Sequence, residues 1–405
     1  MDNSKRVLMA MSGGIDSTVA AILLQEQGYE LIGATYRTYE KKIELKQDVD
    51  LNSESNVESD MESDLNSEDP SLTLDTDLPS SQAINKSLGA VADAKAMCKI
   101  LGIKHLTLDI RTDFFDTVIC NFIDEYLQGR TPNPCVLCNR AIKWGKLQEL
   151  ADQNNCQYIA TGHYAQVKES EGRYYLEKGT DRAKDQTYFL WKLGQENLAR
   201  TIFPLGHLTK PEVRQLARDH GLVALAKKAE SQEICFISDD NYRNFLKQEV
   251  KDFDQTYGPG NYLNMKGEVI GQHVGFPHYT IGQRKGLGIA LGEPMYVTKI
   301  NAKTNEVTLG RREDLLSQSC ILHEINTMRL PSFEDGMKVE TKIRYRSKLH
   351  PATLWHETEE NSGKDQKNSN TSIRVTFEYP IESITPGQSL VAYQDDELIL
   401  GGIIQ

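Results

Sequence analysis

The chain has 405 residues, a formal net charge of −12, and a composition that is 39% hydrophobic and 8% aromatic. This length exceeds one ordinary hydrophobic core, so two or three domains are expected. No run approaches the roughly 18 apolar residues of a membrane span, and residues 1–5 leave no room for a signal peptide before the first predicted strand. We therefore expect a cytoplasmic protein without a membrane partner.

The negative charge is unevenly distributed. Residues 41–86 hold twelve acidic and four basic side chains, so this segment supplies −8 of the −12. Residues 273–350 hold twelve basic and eight acidic side chains, and residues 130–146 hold four basic side chains and no acidic one. Because phosphate binding depends on Lys and Arg, these two regions remain compatible with a nucleic-acid partner.

The first half of the chain alternates between strand and helix patterns. Strands are predicted at residues 7–11, 31–36, 105–110 and 158–161, with helices ending near 27 and 127 and others over about 90–101 and 139–153. This alternation is typical of an α/β fold with a parallel sheet. The acidic segment 41–86 interrupts the pattern and is too polar to bury a core, so we predict a disordered insertion there.

The pattern changes after residue 204. Thr209 and Glu212 form a capping-box pattern ahead of a helix over residues 213–220. From residue 276 onward, short alternating runs predict an all-β domain closed as a barrel. We therefore predict a catalytic α/β domain over 1–207, a small mixed central domain over 208–275 and a C-terminal β-barrel over 276–405.

Residues 12–17, Ser-Gly-Gly-Ile-Asp-Ser, lie directly between the first strand and the first helix. Such a turn collects backbone N–H groups, two hydroxyls and the positive end of a helix dipole, which together favour an anion. The Walker pattern is absent and the loop contains no Lys, so γ-phosphoryl transfer is not indicated. The loop resembles the pyrophosphate loop of ATP pyrophosphatases, which leave AMP on a substrate oxygen.

A second signal lies in a proline-rich turn followed by two cysteines, Cys135 and Cys138. Cys138 precedes a helix predicted to begin near Asn139, and Arg140 and Lys143 follow in its first turns. Both the helix dipole and these cations are expected to favour a thiolate, which would make Cys138 a nucleophile. Cys235 is the second candidate, in a distant segment that would have to fold back over the site.

Several motifs in register together resemble the tRNA-specific 2-thiouridylase family, and they cover nearly the whole chain outside the acidic segment. They are residues 12–17, Thr131-Pro-Asn-Pro134 with Cys138-Asn139, Ala160-Thr-Gly-His-Tyr164, Lys184-Asp-Gln-Thr-Tyr188, Ile234-Cys-Phe-Ile237, Gly282-Gln-Arg-Lys-Gly-Leu-Gly288 and Thr385-Pro-Gly-Gln-Ser389.

The resemblance implies an ATP site and a sequence of chemical steps. ATP, accompanied by Mg²⁺, would contact Ala10, Met11, Ser12, Gly13, Gly14, Ile15, Asp16, Ser17, Tyr36 and Gly162. O2 of the anticodon wobble uridine would be adenylated, and a persulfide on Cys235 would attack C2. Cys138 would then release the thiouridine and leave a disulfide with Cys235.

The resemblance also implies the partners. The target base would enter beside Asn133, Pro134 and Cys135, and the central domain would help to bind tRNA. Further tRNA contacts would come from His163, Lys184, Asp185, Gln186, Arg344, Tyr345 and Gln388. The sulfur donor would be a cysteine desulfurase or a persulfide carrier protein, and no DNA partner is implied.

Cys135 departs from the family pattern, which has an aspartate at this position that is thought to act as an acid or base. A thiol cannot simply take over that role, because its hydrogen bonding is weaker and its reference pKa is different. With Cys138 and Cys235 it gives three thiolates, enough to hold a 4Fe–4S cluster with one open iron. A structural zinc site would need a fourth ligand. The persulfide route is favoured over the cluster route.

Two other functions fit parts of the pattern. A small-molecule amidotransferase or synthetase would use the same loop, although it would need neither paired cysteines nor a basic β domain. A non-catalytic tRNA-binding paralogue would explain the loss of the aspartate at Cys135.

Overall fold

The structure is a computed structural model that describes residues 5–39, 86–228, 234–237, 241–357 and 372–405. The predicted disordered insertion at 41–86 lies outside these ranges except for its last residue, Lys86. Among the helices in these ranges, none has both the length and the apolar character that crossing a bilayer requires.

The N-terminal part is built on a parallel sheet whose central strand is buried at its three middle residues. Its strands and an adjoining hairpin are β1 Arg6–Ala10, β2 Glu30–Arg37, β3 Lys104–Asp109, β4 Tyr158–Ala160, β5 Ala165–Ser170, β6 Arg173–Lys178 and β7 Thr201–Ile202. The sheet order is β3-β2-β1-β4-β7, and all four pairings are parallel. The strand order reverses beside β1, which is where open α/β sheets bind their ligands.

Short helices cover the sheet and continue beyond it. They are α1 Ile15–Glu26, α2 Lys86–Ile100, α3 Arg111–Phe114, α4 Cys120–Leu127, α5 Pro134–Leu137, α6 Gly145–Gln153, α7 Gln195–Ala199, α8 Lys210–Asp219, α9 Val223–Lys227, α10 Tyr242–Glu249 and α11 Phe253–Thr256. Single π-helical stretches, Phe115–Ile119 and Cys138–Trp144, join α3 to α4 and α5 to α6.

The helix predicted to begin near Asn139 begins instead at Pro134, and this correction changes the position of Cys138. Proline favours the first helical position, because it lacks the N–H that would have no partner there and its φ is already helical. Cys135 therefore lies in the first turn, and Cys138 lies where α5 passes into the π-helical stretch.

The middle of the chain forms a second, smaller sheet. Its strands are β8 Gly260–Leu263, β9 Val269–His273, β10 Tyr296–Asn301 and β11 Glu306–Gly310, in the order β10-β11-β8-β9. Tyr262, Phe276, Val297 and Val307 are among the residues of its core. The domain boundary predicted at residue 275 stays a prediction, and it falls between β9 and β10.

The C-terminal strands close into a barrel, as predicted. They are β12 Leu316–Thr327, β13 Met337–Lys342, β14 His350–His356, β15 Ile373–Glu382, β16 Ser389–Gln394 and β17 Glu397–Ile404. Their order is β12-β15-β14-β13-β16-β17, and β17 pairs back onto β12. The β5–β6 hairpin of the N-terminal part joins this sheet through β17, so the barrel is fastened to the first domain.

Candidate active site

Residues 12–17, called the nucleotide loop from here on, are closed by their own side chains. The backbone N–H of Ser12 donates to Ser17 Oγ at 3.2 Å, and Ser17 Oγ donates to the carbonyl of Gly14 at 3.1 Å. Thr18 Oγ1 donates to the same carbonyl at 2.9 Å. The loop is therefore held in shape before any ligand arrives.

Two glycines are required by close packing around this loop. Gly13 has φ +71°, and a Cβ there would lie 2.4 Å from Cβ of Asp93 on α2. A Cβ on Gly162, which follows β4, would lie 2.8 Å from the carbonyl carbon of Asp16. Helix α2 and the segment after β4 thus press on the nucleotide loop from two sides.

The ten residues predicted to contact ATP come together at one edge of the sheet. Ala10 ends β1, Tyr36 lies near the end of β2, and Gly162 lies two residues beyond β4. The carboxyl ends of these neighbouring parallel strands form a crevice at the point where the strand order reverses. An adenine nucleotide fits this position by its chemistry, because the loop N–H groups and the start of α1 favour its phosphates.

Sequence reasoning missed a lysine at the nucleotide loop. Lys210 Nζ lies 2.7 and 2.9 Å from the two carboxylate oxygens of Asp16, and the hydroxyl of Tyr164 donates to the same carboxylate at 2.8 Å. The capping box predicted at Thr209 and Glu212 places Lys210 at the start of α8. The one available signal was that an acidic residue in an anion-binding loop needs a cation beside it.

The structure brings the three candidate thiols together. Cys135 and Cys235 are exposed and Cys138 is buried. Cys135 and Cys235 each lie close enough to Cys138 to raise the pKa of the Cys138 thiol. Cys235 also raises the pKa of the Cys135 thiol. The segment holding Cys235 therefore does return to the site, as the sequence analysis required.

Phe236 holds this segment in place. Its ring is buried among three aromatic rings in edge or tilted contacts, with centroid distances of 5.8 Å to Phe114, 5.2 Å to Phe122 and 5.2 Å to Phe245. Such contacts add to the free energy gained by burial. The neighbouring Cys235 is thereby kept at the surface of this aromatic cluster, beside α5.

The expected stabilisation of a Cys138 thiolate is wrong. Burial raises the pKa of the Cys138 thiol to about 12, Lys143 opposes this, and the two other thiols add to it. Burial also raises the pKa of Cys135 to about 11. The Cys135 side chain is nevertheless exposed to solvent. Because the helix begins at Pro134, Cys138 also lies outside the first turn, where the dipole acts.

Tyr36 lies between the three thiols and the edge of the sheet where the residues predicted to contact ATP come together. Its hydroxyl donates to the carbonyl of Lys143 at 2.7 Å. Burial raises the pKa of Tyr36, and Cys138 raises it further, so the two side chains are neighbours. A base bound beside Cys138 would therefore lie next to a nucleotide that contacts Tyr36.

His163 is a neutral ring in the wall of this site. Burial lowers its pKa to about 3, and the nearby Lys143 lowers it further. Its Nδ1 lies 2.7 Å from Thr161 Oγ1, and its ring centroid lies 5.6 Å from that of Trp144. Lys143 also acts on Cys135 and Cys138, so its ammonium lies among the thiols and this histidine.

The C-terminal barrel holds the proline-rich turn that precedes α5. Gln388 Nε2 donates to the carbonyls of Thr131 and Pro132 at 3.0 and 2.9 Å, and the N–H of Thr131 donates to the carbonyl of Pro386 at 2.9 Å. Asn133 and Pro134, which follow directly, are therefore positioned by a domain far away in sequence.

Arg344 and Tyr345 lie on the same side of the molecule as Asn133. Arg344 donates to the carbonyl of Ser383 and to Thr385 Oγ1, each at 2.6 Å. Both Asn133 and Arg344 lower the pKa of Tyr188, which burial raises, so they flank one ring. The Tyr345 ring lies 4.4 Å from that of Phe189. The basic region at residues 273–350, which includes Arg344 and Tyr345, thus meets the proline-rich turn.

The segment 184–186 is linked to the nucleotide site through Tyr164. Gln186 Oε1 accepts a hydrogen bond from the N–H of Tyr164 at 2.9 Å. Asp185 is only 3% exposed, and its Oδ1 accepts from the N–H of Gly179 and from Thr187 Oγ1. The carboxylate of Asp185 therefore supports the loop from within, and direct contacts of this segment with tRNA stay a prediction.

Two remaining features of the molecule bear on ligand binding. Among the residues that the structure describes, no three His, Cys, Asp or Glu side chains are arranged to hold a metal ion. The described arrangement of Cys135, Cys138 and Cys235 therefore gives no support to the predicted iron–sulfur alternative. The motif at 282–288 contributes Arg284 and Gly286 to the wall of a cavity of about 670 Å³ that extends along the loop to Met295.

Three family models match the chain in succession. The tRNA methyl transferase HUP domain matches residues 5–64 and 75–239, the tRNA methyl transferase PRC-barrel domain matches residues 243–311, and the aminomethyltransferase beta-barrel domain matches residues 317–404. They correspond to the parallel-sheet domain, the smaller middle sheet and the closed barrel. The predicted fold class, an ATP-pyrophosphatase-like parallel-sheet domain followed by a small middle domain and a β-barrel, is thus confirmed.

Curated relatives match over the full length. The tRNA-specific 2-thiouridylase MnmA of Amoebophilus asiaticus is 42% identical over 99% of this chain and 95% of its own. The proteins of the same name from Salinibacter ruber and Carboxydothermus hydrogenoformans are 41% and 42% identical, over 100% and 99% of this chain and 95% and 98% of their own. Among solved structures, NMN synthetase from Francisella tularensis is similar at 18% identity over 62% of this chain and 71% of that chain, with a TM-score of 0.29, too low to carry an argument. Identity at this level over the whole chain shows that the protein belongs to the tRNA-specific 2-thiouridylase family.

Proposed function

We propose that this protein uses ATP to replace O2 of the tRNA wobble uridine with sulfur. The observation that carries the proposal is the junction at Tyr36. There the edge of the sheet that suits a nucleotide adjoins a group of three thiols drawn from two distant segments. An enzyme that activates an oxygen with AMP and then displaces it with sulfur needs both halves within reach of one base.

In the first step, uracil O2 attacks the α-phosphorus of ATP and pyrophosphate leaves. The nucleotide loop offers N–H groups to the phosphates, and Mg²⁺ bound to ATP neutralises their charge. Neutral His163, beside the thiols, can hydrogen-bond the base but cannot carry a positive charge at neutral pH, because burial lowers its pKa to about 3. The adenylated oxygen is then a good leaving group.

In the second step, the terminal sulfur of a persulfide on Cys235 attacks C2 and displaces AMP. Cys138 then attacks the Cys235 sulfur, which releases 2-thiouridine and leaves a disulfide between Cys138 and Cys235. Exposed Cys235 suits the role of accepting sulfur from a donor protein, and buried Cys138 suits the role of the resolving thiol. A cellular reductant then restores both thiols.

The resolving step needs a cation, because the Cys138 thiol is largely protonated at neutral pH. Lys143 is the cation that lowers the pKa of both Cys138 and Cys135. We therefore expect binding of the base to bring Lys143 and the thiol closer together. The proposed steps use the thiols alone, because the described side chains give no support to an iron–sulfur cluster.

Transfer RNA would bind across the domains. The proline-rich turn and α5 supply Asn133, Pro134 and Cys135 beside the target base, and Gln388 of the barrel holds that turn. Arg344 and Tyr345 extend the surface along the barrel, and the loop 184–186 extends it on the other side. The sulfur donor, a cysteine desulfurase or a persulfide carrier protein, would approach exposed Cys235.

Methyl transfer is the second candidate, because the first family model is described as a tRNA methyl transferase domain. The cluster of three thiols beside the nucleotide edge favours sulfur transfer over methyl transfer. A synthetase for small molecules has no need of the thiols or of the barrel contact to the proline-rich turn. A non-catalytic paralogue would not consume ATP.

Sulfur incorporation into tRNA tests the proposal. The purified chain, ATP, a cysteine desulfurase, cysteine labelled with ³⁵S and unmodified tRNA should yield labelled 2-thiouridine. Cys138→Ser and Cys235→Ser should each lower labelling by about a thousandfold or more, as expected for a lost nucleophile. Cys138→Ser should keep ATP cleavage that depends on tRNA.

The matched control is Cys320→Ser, which removes a thiol in the barrel and should leave labelling unchanged. Label from methyl-labelled S-adenosylmethionine in place of sulfur would favour the second candidate. Full labelling by Cys235→Ser would contradict the persulfide role of Cys235.

A further inference from the structure

The nucleotide loop has a charge that is unusual for a phosphate site. Its one ionisable side chain is Asp16, which is negative, and residues 12–17 contain no Lys or Arg. Backbone N–H groups and the α1 dipole attract phosphate only through partial charges. A triphosphate with a carboxylate beside it therefore needs a cation from elsewhere in the chain.

Lys210 is the cation that lies beside this carboxylate. It begins α8, nearly two hundred residues after the loop in sequence, and its ammonium lies 2.7 Å from Asp16 Oδ1 and 2.9 Å from Oδ2. Its backbone N–H donates to Asp181 Oδ2 at 2.9 Å, and the Thr209–Glu212 capping box fixes the first turn. Three interactions therefore hold this lysine against the loop.

The side chains of Lys210 and Asp16 differ in their exposure to solvent. The Lys210 side chain is 7% exposed, whereas that of Asp16 is 34% exposed. A buried ammonium is costly unless it stays paired with an anion. The carboxylate, by contrast, keeps about a third of its side chain in contact with solvent. Asp16 can therefore accept a second cation, while Lys210 must always face an anion.

We propose that Lys210 binds the pyrophosphate half of ATP, and that Asp16 holds the lysine in place until the nucleotide arrives. The inference rests on the proposed use of ATP. The Mg²⁺ that accompanies ATP is a hard cation that prefers oxygen ligands. The Asp16 carboxylate would supply one such oxygen, which would leave the Lys210 ammonium for the phosphate oxygens. Lysine binds phosphate well as a point charge.

Binding of nucleotides of different phosphate length tests this on the full chain. Lys210→Met should weaken the binding of ATP and of pyrophosphate about tenfold to a hundredfold, the range expected for a charged hydrogen bond. Binding of AMP should change by less than about twofold, because AMP lacks the two phosphates that leave. A lysine that only stabilised the fold would weaken ATP and AMP equally.

Asp16→Asn separates the two partners. Without Mg²⁺, it should bind ATP at least as tightly as the wild-type chain, since the carboxylate no longer competes for Lys210. The increase in ATP affinity that Mg²⁺ gives the wild-type chain should be lost. Should Lys210→Met unfold the chain by leaving Asp16 without its ammonium, the neutral pair Asp16→Asn with Lys210→Met replaces it, and should bind ATP more weakly than Asp16→Asn alone.

Lys192→Met is the matched control. Lys192 has a 13% exposed side chain and pairs with Glu324 in the barrel. The Lys192→Met variant should be less stable than the wild-type chain and should bind ATP with unchanged affinity. ATP affinity unaffected by Lys210→Met, or equal losses for ATP and AMP, would overturn the inference while the proposed function stands. A wild-type chain that binds no ATP would contradict both.

Discussion

The nucleotide loop and the thiol cluster meet at Tyr36, yet they are built in opposite ways. The loop is one run of six residues that closes on itself through Ser12, Ser17 and Gly14. The thiol cluster joins α5 to a segment about a hundred residues later, held by the ring of Phe236. The first depends on local backbone geometry, and the second depends on tertiary packing.

The two regions also differ in how far each is prepared for its part of the proposed reaction before the substrates bind. The loop offers its backbone hydrogen-bond donors in a fixed shape, so ATP should bind without rearrangement of the loop backbone, and only the Asp16 and Lys210 side chains should change partners. Two of the three thiols are kept protonated, because burial raises the pKa of Cys138 to about 12 and that of Cys135 to about 11. This difference suits the order of the proposed reaction, in which sulfur chemistry must wait until the base has been activated.

Gly13→Ala should disrupt the nucleotide loop and leave the thiol cluster unchanged. A side chain there would meet Cβ of Asp93 at 2.4 Å and the N–H nitrogen of Ala94 at 2.8 Å, in addition to the strain of φ +71°. Strain and overpacking together cost about 3 kcal/mol or more. We expect ATP binding, measured by calorimetry, to weaken about a hundredfold.

Gly28→Ala is the control for strain without overpacking. Gly28 has φ +83°, and nothing lies within 4 Å of its added Cβ. It should lower the free energy of unfolding by about 1 kcal/mol and leave ATP affinity unchanged. Equal ATP affinities for the two variants would mean that α2 yields easily, and that the loop is not the rigid partner in the comparison.

The same difference explains what sequence could and could not predict. The βαβ unit and the loop were predictable, because hydrophobic period, glycines and hydroxyls all lie within thirty residues. Short runs of alternating apolar and polar residues sufficed to predict the barrel. The start of α5 was missed because the two prolines were interpreted as a turn, although Pro134 is a favoured first helical residue.

Burial of Cys138 and the position of Lys210 could not be predicted, since both depend on chain segments that meet only in the folded state. The charges near Cys138 in sequence suggested a thiolate, but desolvation exceeds the effect of Lys143. The capping box placed Lys210 at a helix start without revealing that this start faces Asp16.

Phe236→Leu should act on the thiol cluster alone. The change removes aromatic contacts with Phe114, Phe122 and Phe245, at a cost of about 1.5 kcal/mol if each contributes at the low end of its range. The equilibrium that keeps Cys235 in place would then be weakened by a little over tenfold, about 13-fold. Sulfur incorporation should fall by about that factor, while ATP affinity stays unchanged.

Phe253→Leu is the matched control for this variant. Phe253 belongs to the same apolar cluster and is buried, but its ring contacts Tyr257 and His278. It should lower the melting temperature similarly without a comparable loss of sulfur transfer. A loss of ATP affinity in Phe236→Leu would contradict the separation of the two regions.

The pH dependence of thiol reactivity sharpens the comparison without disturbing the fold. Because burial raises the pKa of Cys138 to about 12, its thiolate fraction should rise tenfold with each pH unit from 7 to 10. Iodoacetamide labelling of Cys138, followed by mass spectrometry in a variant with Cys135→Ser and Cys235→Ser, should show this slope without a plateau. A thiolate stabilised by Lys143 in the free chain would instead give a rate that levels off near neutral pH. Such a plateau would mean that the thiols are as ready for reaction as the loop, and that base activation does not control sulfur transfer.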